Sequence, residues 1–302
     1  MLIPPPLRPG DLIGVAAPAG PVEPAVLEAG IGYLEARGYR VRRGRHLGRR
    51  HGYLAGSDDE RLSDLNALIA DPDPAAIWFA RGGYGTGRIV ERLDLEPLSR
   101  LPKALIGFSD LTVLQAAVWR RHRLVTYYGP MVADLGEQAR FDERSLWETV
   151  STVGFGGGHA VDRSAVLRPG SGEGPLVGGC LSLLVSLIGT PWDLPTAGAI
   201  LFWEEVNEEP FRIDRMLGQL RHAGKLDPLR GMVVGTLVGC EPRGGGDSLG
   251  IREILLRHLE GTDYPVILDL PAGHAAAKIT LPLGCTARLE TDPPRLRFPG
   301  PA

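Results

Sequence analysis

Residues 75–111 read AAIWFARGGYGTGRIVERLDLEPLSRLPKALIGFSDL and contain two short apolar runs, at 75–80 and 104–108. The first run leads directly into a glycine-rich turn, RGGYG (81–85), and the second leads into Ser109-Asp110. Short apolar runs bounded by turn residues are typical of buried strands. We therefore expect two buried strands whose C-terminal ends carry these two turns.

The same alternation extends toward the N-terminus. Apolar runs at 11–17 and from Tyr39 onward predict two further strands. Strands that alternate with helices favour a mostly parallel sheet covered on both faces. We predict an α/β fold with a doubly wound N-terminal domain, residues 1–150, whose helical patterns lie at 22–37, 58–69 and 111–120.

After about residue 135 the pattern changes. Residues 151–174 contain GFGGGH and PGSGEG, which predict a Gly-rich connection. Beyond it, shorter apolar runs interleave with helical segments, so we expect a smaller C-terminal domain, 175–302, of mixed α/β, β-rich and swivelling type. The apolar runs lie at 199–203, 231–238, 266–268 and 287–290, and the helical segments at 181–188, 210–222 and 249–260.

Composition and charge exclude several classes of protein. The 302 residues suggest two domains at roughly 150 residues each, or one large α/β domain. A hydrophobic fraction of 43% and a charged fraction of 23% are typical of soluble globular proteins. The net charge of −3 gives no electrostatic basis for a nucleic-acid partner or an anionic membrane surface.

Cysteine usage and the N-terminal sequence predict the compartment. Cys180, Cys240 and Cys285 lie far apart without a CxxC motif, which favours neither a disulfide framework nor a zinc site. The N-terminus lacks the pattern of a signal peptide, and the apolar stretch 181–188 is much shorter than the roughly 20 residues of a membrane span. We expect a cytoplasmic protein with no membrane partner.

The segment GFSDL, residues 107–111, joins a strand to a helix with no residues to spare. A Ser in such a turn presents its hydroxyl at the edge of the sheet, as in a nucleophile elbow, although Leu111 stands where the GxSxG motif has its second Gly. The helix behind Ser109 offers N–H groups and a positive dipole end to an oxyanion. A Ser or Asp that only caps the helix is the alternative interpretation.

The RGGYG turn follows the neighbouring strand at its C-terminal end, where ligand crevices lie in open α/β sheets. Its glycines would let backbone N–H groups approach a substrate carbonyl oxygen. A phosphate-binding loop is the alternative, but Gly83, Gly85 and Gly87 miss the GxGxxG spacing and no GK[ST] motif is present.

A serine hydrolase also needs a base and an acid that orients the base. His274 follows an apolar run and lies among small residues, whereas the other six histidines have polar or Arg-rich neighbours. Glu204 and Glu205 follow the apolar run 200–203. The alternative for His274 is a histidine packed in the structure without a catalytic role. The alternative for Glu204 and Glu205 is the start of a solvated loop.

Together these residues resemble the LD-carboxypeptidases of serine peptidase family S66. The resemblance covers nearly the whole chain and rests on eight segments in the family's order. They are LRPGDLIGVAAPAG, LAGSDDERLSDLNAL, FARGGYGTGRIV, ALIGFSDLT, YYGPM, LVGGCLSLL, ILFWEEVNEEPFRIDRML and AGHAAAKITLPLG.

The resemblance implies a triad in which Ser109 is the nucleophile, Glu204 the acid and His274 the base, with Glu205 as second choice for the acid. It implies an N-terminal domain that holds the Ser, a C-terminal domain that supplies Glu and His, and a homodimer. Neither a metal nor a cofactor is required.

The resemblance further implies an oxyanion hole formed by the backbone N–H groups of Gly83 and Asp110. Arg81 is the candidate partner for the substrate carboxylate, and Gly82 and Tyr84 are further candidates for substrate binding. The implied reaction is release of the terminal D-alanine from cytoplasmic murein tetrapeptide during cell-wall recycling.

Two alternatives stay open. One is the self-immunity branch of the family, which cleaves aminoacyl- or peptidyl-adenylate antibiotics such as microcin C. In that case Trp192 or Trp203 would stack on adenine, although both tryptophans could instead pack in the core. The other is a non-catalytic muropeptide-binding protein. Cys180 replaces an Asn that is common in the family, which leaves substrate preference open.

Overall fold

The computed structural model describes residues 1–152, 155, 157–243 and 247–300. Their strands, in chain order, are β1 Leu12–Ala16, β2 Arg40–Arg43, β3 Pro74–Phe79, β4 Ala104–Gly107, β5 Thr126–Tyr128, β6 Gly158–Ala160, β7 Val166–Arg168, β8 Ser171–Cys180, β9 Ile200–Val206, β10 Gly231–Val238, β11 Val266–Leu270, β12 Leu281–Leu283, β13 Thr286–Thr291 and β14 Pro294–Arg297.

Ten α-helices and four short 3₁₀ helices connect these strands within the described residues. α2 shows how local sequence starts a helix, because Ser57 and Glu60 form a reciprocal capping box at its N-terminus. The α-helices are α1 Pro24–Ala36, α2 Asp58–Ala70, α3 Thr86–Ile89, α4 Pro97–Arg100, α5 Thr112–His122, α6 Val132–Leu135, α7 Glu143–Ser151, α8 Leu181–Ser186, α9 Pro210–His222 and α10 Ile251–His258. The 3₁₀ helices are Val90–Arg92, Ser109–Leu111, Gln138–Arg140 and Arg163–Ala165.

The first sheet has six strands in the order β12-β5-β4-β3-β1-β2. β1 to β5 are parallel, and β12 pairs antiparallel with β5. β1, β3 and β4 are almost wholly buried, as expected for strands covered on both faces. The prediction of a mostly parallel α/β domain is confirmed.

The second sheet has eight strands in the order β6-β14-β13-β8-β9-β10-β11-β7. Its centre, β8 to β11, is parallel, whereas β13, β14, β6 and β7 pair antiparallel with their neighbours. The prediction of a second, mixed and β-rich domain is confirmed, and its sheet has more strands than the first.

The structure differs from the predicted connection at 151–174. β6, β7 and the first residues of β8 lie in this segment and belong to the second sheet, while residues 153, 154 and 156 lie outside the described residues. A Cβ at Gly174 would lie 2.1 Å from the carbonyl oxygen of Gly198, so this glycine permits close packing of two backbone segments rather than a flexible linker.

The predicted C-terminal domain, 175–302, also differs in one element. After β11 the chain crosses to the first sheet, adds β12 to its edge and returns to the second sheet as β13. Lys278 lies on this crossing segment, is buried, and donates hydrogen bonds from Nζ to the carbonyl oxygen of Arg140 (2.7 Å) and to Asp134 Oδ1 (3.3 Å). These hydrogen bonds attach the crossing segment to the N-terminal domain.

No helix among the described residues has the length and apolar character needed to cross a membrane. The three cysteines are buried and none forms a disulfide.

Candidate active site

The turn after β4 carries Ser109. Only Phe108 separates the end of β4 from the 3₁₀ helix that Ser109 begins. The φ angle of Ser109 is +63°, in the left-handed region that residues other than glycine rarely adopt. Strained backbone of this kind persists only where the surrounding structure enforces it, and it clusters at functional sites.

The loop after β3 packs against this turn. A Cβ added at Gly82 would lie 3.2 Å from Ser109 Oγ, so the loop backbone lies directly beside the hydroxyl. The Asp110 carboxylate accepts a hydrogen bond from the backbone N–H of Thr86 at 2.8 Å. Burial raises the pKa of Asp110. The residue after Ser109 thus anchors the far end of the glycine-rich loop.

The predicted oxyanion donors lie in these two turns. In the part of the chain that the structure describes, the backbone N–H groups of Gly83 and Asp110 donate no hydrogen bond to another protein group. Gly83 has φ of +112°, a conformation that turns this part of the loop sharply. Both N–H groups thus have no acceptor among the described protein groups.

Glu204 and Glu205 are adjacent on β9, so their side chains point to opposite faces of the second sheet. Glu204 Oε2 lies 2.7 Å from His274 Nδ1. Glu205 instead accepts the backbone N–H of Ser182 at 2.7 Å, at the start of α8. Glu204, and not Glu205, is the carboxylate that contacts the histidine.

His274 lies on the loop that follows β11. Its backbone N–H also donates to Glu204 Oε2, at 3.2 Å. Gly273 makes this approach possible, because its φ is +88° and a Cβ there would lie 2.3 Å from Glu204 Cγ. With Nδ1 on the carboxylate, Nε2 is the ring nitrogen left to act as a base.

Tyr128 connects the two halves of the site. Its hydroxyl donates to Glu204 Oε1 at 2.6 Å and accepts the backbone N–H of Ser109 at 3.2 Å. The Phe108 ring packs edge-on against the His274 ring, with centroids 5.0 Å apart. Among the described residues no hydrogen bond joins Ser109 Oγ to His274, although such bonds often tighten only in the substrate complex.

The candidate substrate-binding residues lie at the rim. Arg81 is exposed and donates from Nη1 to the carbonyl oxygen of Pro21 at 2.7 Å. Tyr84 is 52% exposed, and its ring lies edge-on to that of Tyr53 at 5.8 Å. Gly82 is buried beside Ser109. Arg81 and Tyr84 are thus accessible to a ligand, but their contacts do not indicate which substrate they would bind.

Cys180 and the two tryptophans bear on substrate choice. Cys180 is buried opposite Glu204 on β8, and its Sγ lies 3.4 Å from Glu205 Oε1. Burial raises the pKa of the Cys180 thiol, so it stays a neutral, weak donor at the position of the family's Asn. Trp203 is wholly buried and unable to stack on a ligand, whereas Trp192 is partly buried.

Sequence reasoning missed Tyr128 as a member of the site. The motif YYGPM could have indicated it, because its second tyrosine ends the strand that pairs with the strand before Ser109. The described residues contain no cluster of three or more His, Cys, Asp or Glu side chains suited to a metal ion.

Comparison with known proteins gives two domain matches. The N-terminal domain of LD-carboxypeptidases matches residues 13–129, and their C-terminal domain matches residues 173–289. The chain is 38% identical to the probable murein peptide carboxypeptidase of Bacillus subtilis (strain 168), over 94% of this chain and 90% of the relative. It is 34% identical to the murein tetrapeptide carboxypeptidase of Pseudomonas aeruginosa, over 95% and 94%.

Two solved structures share the fold. The muramoyltetrapeptide carboxypeptidase from Oxalobacter formigenes is 31% identical with a TM-score of 0.83, and the match covers 94% of this chain and 97% of that one. MccF, in complex with glutamyl sulfamoyl guanosine, is 23% identical with a TM-score of 0.90, covering 100% and 99%. The chain belongs to the LD-carboxypeptidase family, peptidase family S66, and is an enzyme of that family.

Proposed function

We propose that the chain is a cytoplasmic serine carboxypeptidase that releases the terminal D-alanine from murein tetrapeptide during cell-wall recycling, and that it works as a homodimer. The observation that carries the proposal is the contact between His274 and the buried Glu204, beside a serine held on a strained turn. The names of the relatives from Bacillus subtilis and Pseudomonas aeruginosa support murein peptide as the substrate.

In the first half of the reaction, His274 Nε2 removes the proton of Ser109 Oγ while Oγ attacks the carbonyl carbon before D-alanine. Glu204 holds the Nδ1–H tautomer and stabilises the imidazolium that forms. The backbone N–H groups of Gly83 and Asp110 bind the developing oxyanion, at about 3 kcal/mol for each donor. The imidazolium then returns its proton to the leaving amine, D-alanine departs, and an acyl-serine remains.

In the second half, water attacks the acyl-serine with His274 again as base, which frees the tripeptide and restores Ser109. Arg81 is the candidate partner of the D-alanine carboxylate, because it is an exposed cation on the loop that carries Gly83. Gly82 and Tyr84 would line the same side of the substrate.

The alternative substrate is an aminoacyl or peptidyl adenylate. The MccF fold supports this reading, since that protein is seen in complex with a nucleoside-linked ligand. Against it, the core position of Trp203 removes one of the two aromatic surfaces that the sequence offered for a base. Murein peptide is therefore the substrate we favour.

The test is D-alanine release from L-Ala-D-Glu-meso-diaminopimelate-D-Ala by wild type and by Ser109→Ala, with an aminoacyl sulfamoyl adenylate tested in parallel. We expect wild-type release of D-alanine and a loss of about 10⁶-fold in kcat for the variant, as for other serine nucleophiles. Cleavage of the adenylate alone would assign the chain to the immunity reaction. Tetrapeptide binding without turnover would make it a muropeptide-binding protein.

A further inference from the structure

Tyr128 occupies a buried position between the nucleophile and the acid. It ends β5, next to β4 in the first sheet, and its side chain is 1% exposed. Glu204 lies on the second sheet, so the 2.6 Å hydrogen bond between these side chains spans the two domains. Tyr128 is thereby the one side chain among the described residues that hydrogen-bonds both the Ser109 turn and Glu204.

The direction of both hydrogen bonds is fixed by chemistry. A backbone N–H can only donate, so the Tyr128 oxygen accepts from Ser109. Burial raises the pKa of Tyr128 well above its usual value, so the hydroxyl keeps its proton and donates it to Glu204 Oε1. The result is a relay in one direction, Ser109 N–H to Tyr128 O–H to Glu204, in which each bond strengthens the next.

The relay complements the contact with the histidine. Glu204 is wholly buried, and its Oε2 accepts both His274 donors while its Oε1 accepts the Tyr128 hydroxyl. A buried carboxylate needs hydrogen-bond donors to offset the loss of water, and donors on both oxygens hold the side chain in one rotamer. At the other end, the Tyr128 oxygen holds the Ser109 backbone in its left-handed conformation.

We propose that Tyr128 is a positioning residue that acts through Glu204 and Ser109, setting the plane of the carboxylate that orients His274 and the backbone that presents the nucleophile. The inference rests on the proposed roles of these three residues, but it does not depend on which acyl substrate the enzyme takes.

Tyr127 provides a matched control. It precedes Tyr128 on β5, is 1% exposed, and faces the opposite side of the first sheet. Its hydroxyl forms no hydrogen bond to a protein group within the described residues, and its ring packs edge-on against Phe155. Tyr127→Phe and Tyr128→Phe therefore remove the same atom from equally buried rings, but only the second change interrupts the relay.

The experiment compares the two variants by turnover of the tetrapeptide and by the rate at which a fluorophosphonate labels Ser109. For Tyr128→Phe we expect kcat and the labelling rate to fall by about 10- to 100-fold, with KM changed by less than about twofold. Tyr127→Phe should leave all of these quantities near wild type.

A double-mutant cycle tests whether Tyr128 acts through Glu204. In the Glu204→Gln background, Tyr128→Phe should lower the labelling rate by less than it does in the wild-type background, because the part that acts through the carboxylate is already gone and only the contact with the Ser109 backbone remains. Equal losses for Tyr127→Phe and Tyr128→Phe, a rise in KM that accounts for the loss in kcat/KM, or full additivity with Glu204→Gln would overturn the proposal. If the tetrapeptide is not turned over but labelling still depends on Tyr128, the substrate assignment fails and the positioning role stands.

Discussion

The first sheet presents Ser109 on a strained backbone turn at the end of β4, whereas the second sheet holds His274 against a buried carboxylate on β9. The backbone of Ser109 forms a left-handed turn, and the glycine-rich loop packs against it. The Asp110 carboxylate accepts a hydrogen bond from the N–H of Thr86, which ties the far end of that loop to the turn. His274 lies on a loop, is 21% exposed, and is oriented by a carboxylate that is 0% exposed. Because Ser109 depends on its turn while His274 depends on Glu204, substitutions on the second-sheet side should act either by changing the charge and hydrogen bonding of Glu204 or by displacing the loop that carries His274.

The largest effect expected on the second-sheet side comes from Glu204→Gln. The amide removes the charge that stabilises the imidazolium and disturbs the His274 tautomer, so we expect kcat to fall by about 10³- to 10⁴-fold. Glu205→Gln is the matched control, because it changes the adjacent residue on the opposite face and keeps an acceptor for the N–H of Ser182. Steady-state kinetics on the tetrapeptide distinguish them, and equal losses would show that the opposite-face argument is wrong.

A smaller effect is expected from Gly273→Ala. The added Cβ would collide with Glu204, so the His274 loop must shift, and a displacement of about 1 Å costs about 10²-fold in kcat/KM. Gly261→Ala is the control, since Gly261 has a similar φ of +87° but no atom within 4 Å of its Cβ position. Both variants should lose stability in thermal unfolding, and only the first should lose activity. An active Gly273→Ala enzyme would mean that this loop tolerates movement.

The smallest effect on turnover is expected from Lys278→Met. The change removes the buried ammonium from Asp134 and leaves it only the half-exposed Arg140, whose Nη1 lies 3.7 Å from Asp134 Oδ1. The free energy of unfolding should therefore fall by about 3 kcal/mol while kcat falls only a few-fold. Adding Asp134→Asn removes the carboxylate charge that has lost its buried partner and keeps an acceptor for the N–H of Met131, so it should restore part of the stability. Urea unfolding measures both steps, and a single variant as stable as wild type would contradict the ion-pair argument.

Much of the first sheet was predictable, because its strands are short apolar runs bounded by turns. The structure has β1, β3 and β4 within one residue of the predicted runs at 11–17, 75–80 and 104–108. The mixed character of the second domain also followed from its shorter runs. These features depend on local patterns, which one sequence contains in full.

The elements that were missed depend on contacts between distant residues. β12 has three residues and no periodicity of its own, and it becomes a strand only because the edge of β5 is available. β8 looks like a linker because its glycines serve close packing against segments far away in the chain. At the site, motifs pointed to Ser109, Glu204 and His274, but no local pattern could show that the Tyr128 hydroxyl lies between two of them.

The crossing of the chain at β12 has a consequence for any attempt to take the molecule apart. A fragment that ends near residue 150 would lose β12 and expose the hydrogen-bonding edge of β5, a template for aggregation. The complementary fragment would contain the β12 segment without β5, the strand with which it pairs. Because His274 lies on the crossing segment between β11 and β12, separating the two domains would also move His274 away from Ser109. Under the proposed mechanism, mechanical separation of the domains would therefore also abolish activity.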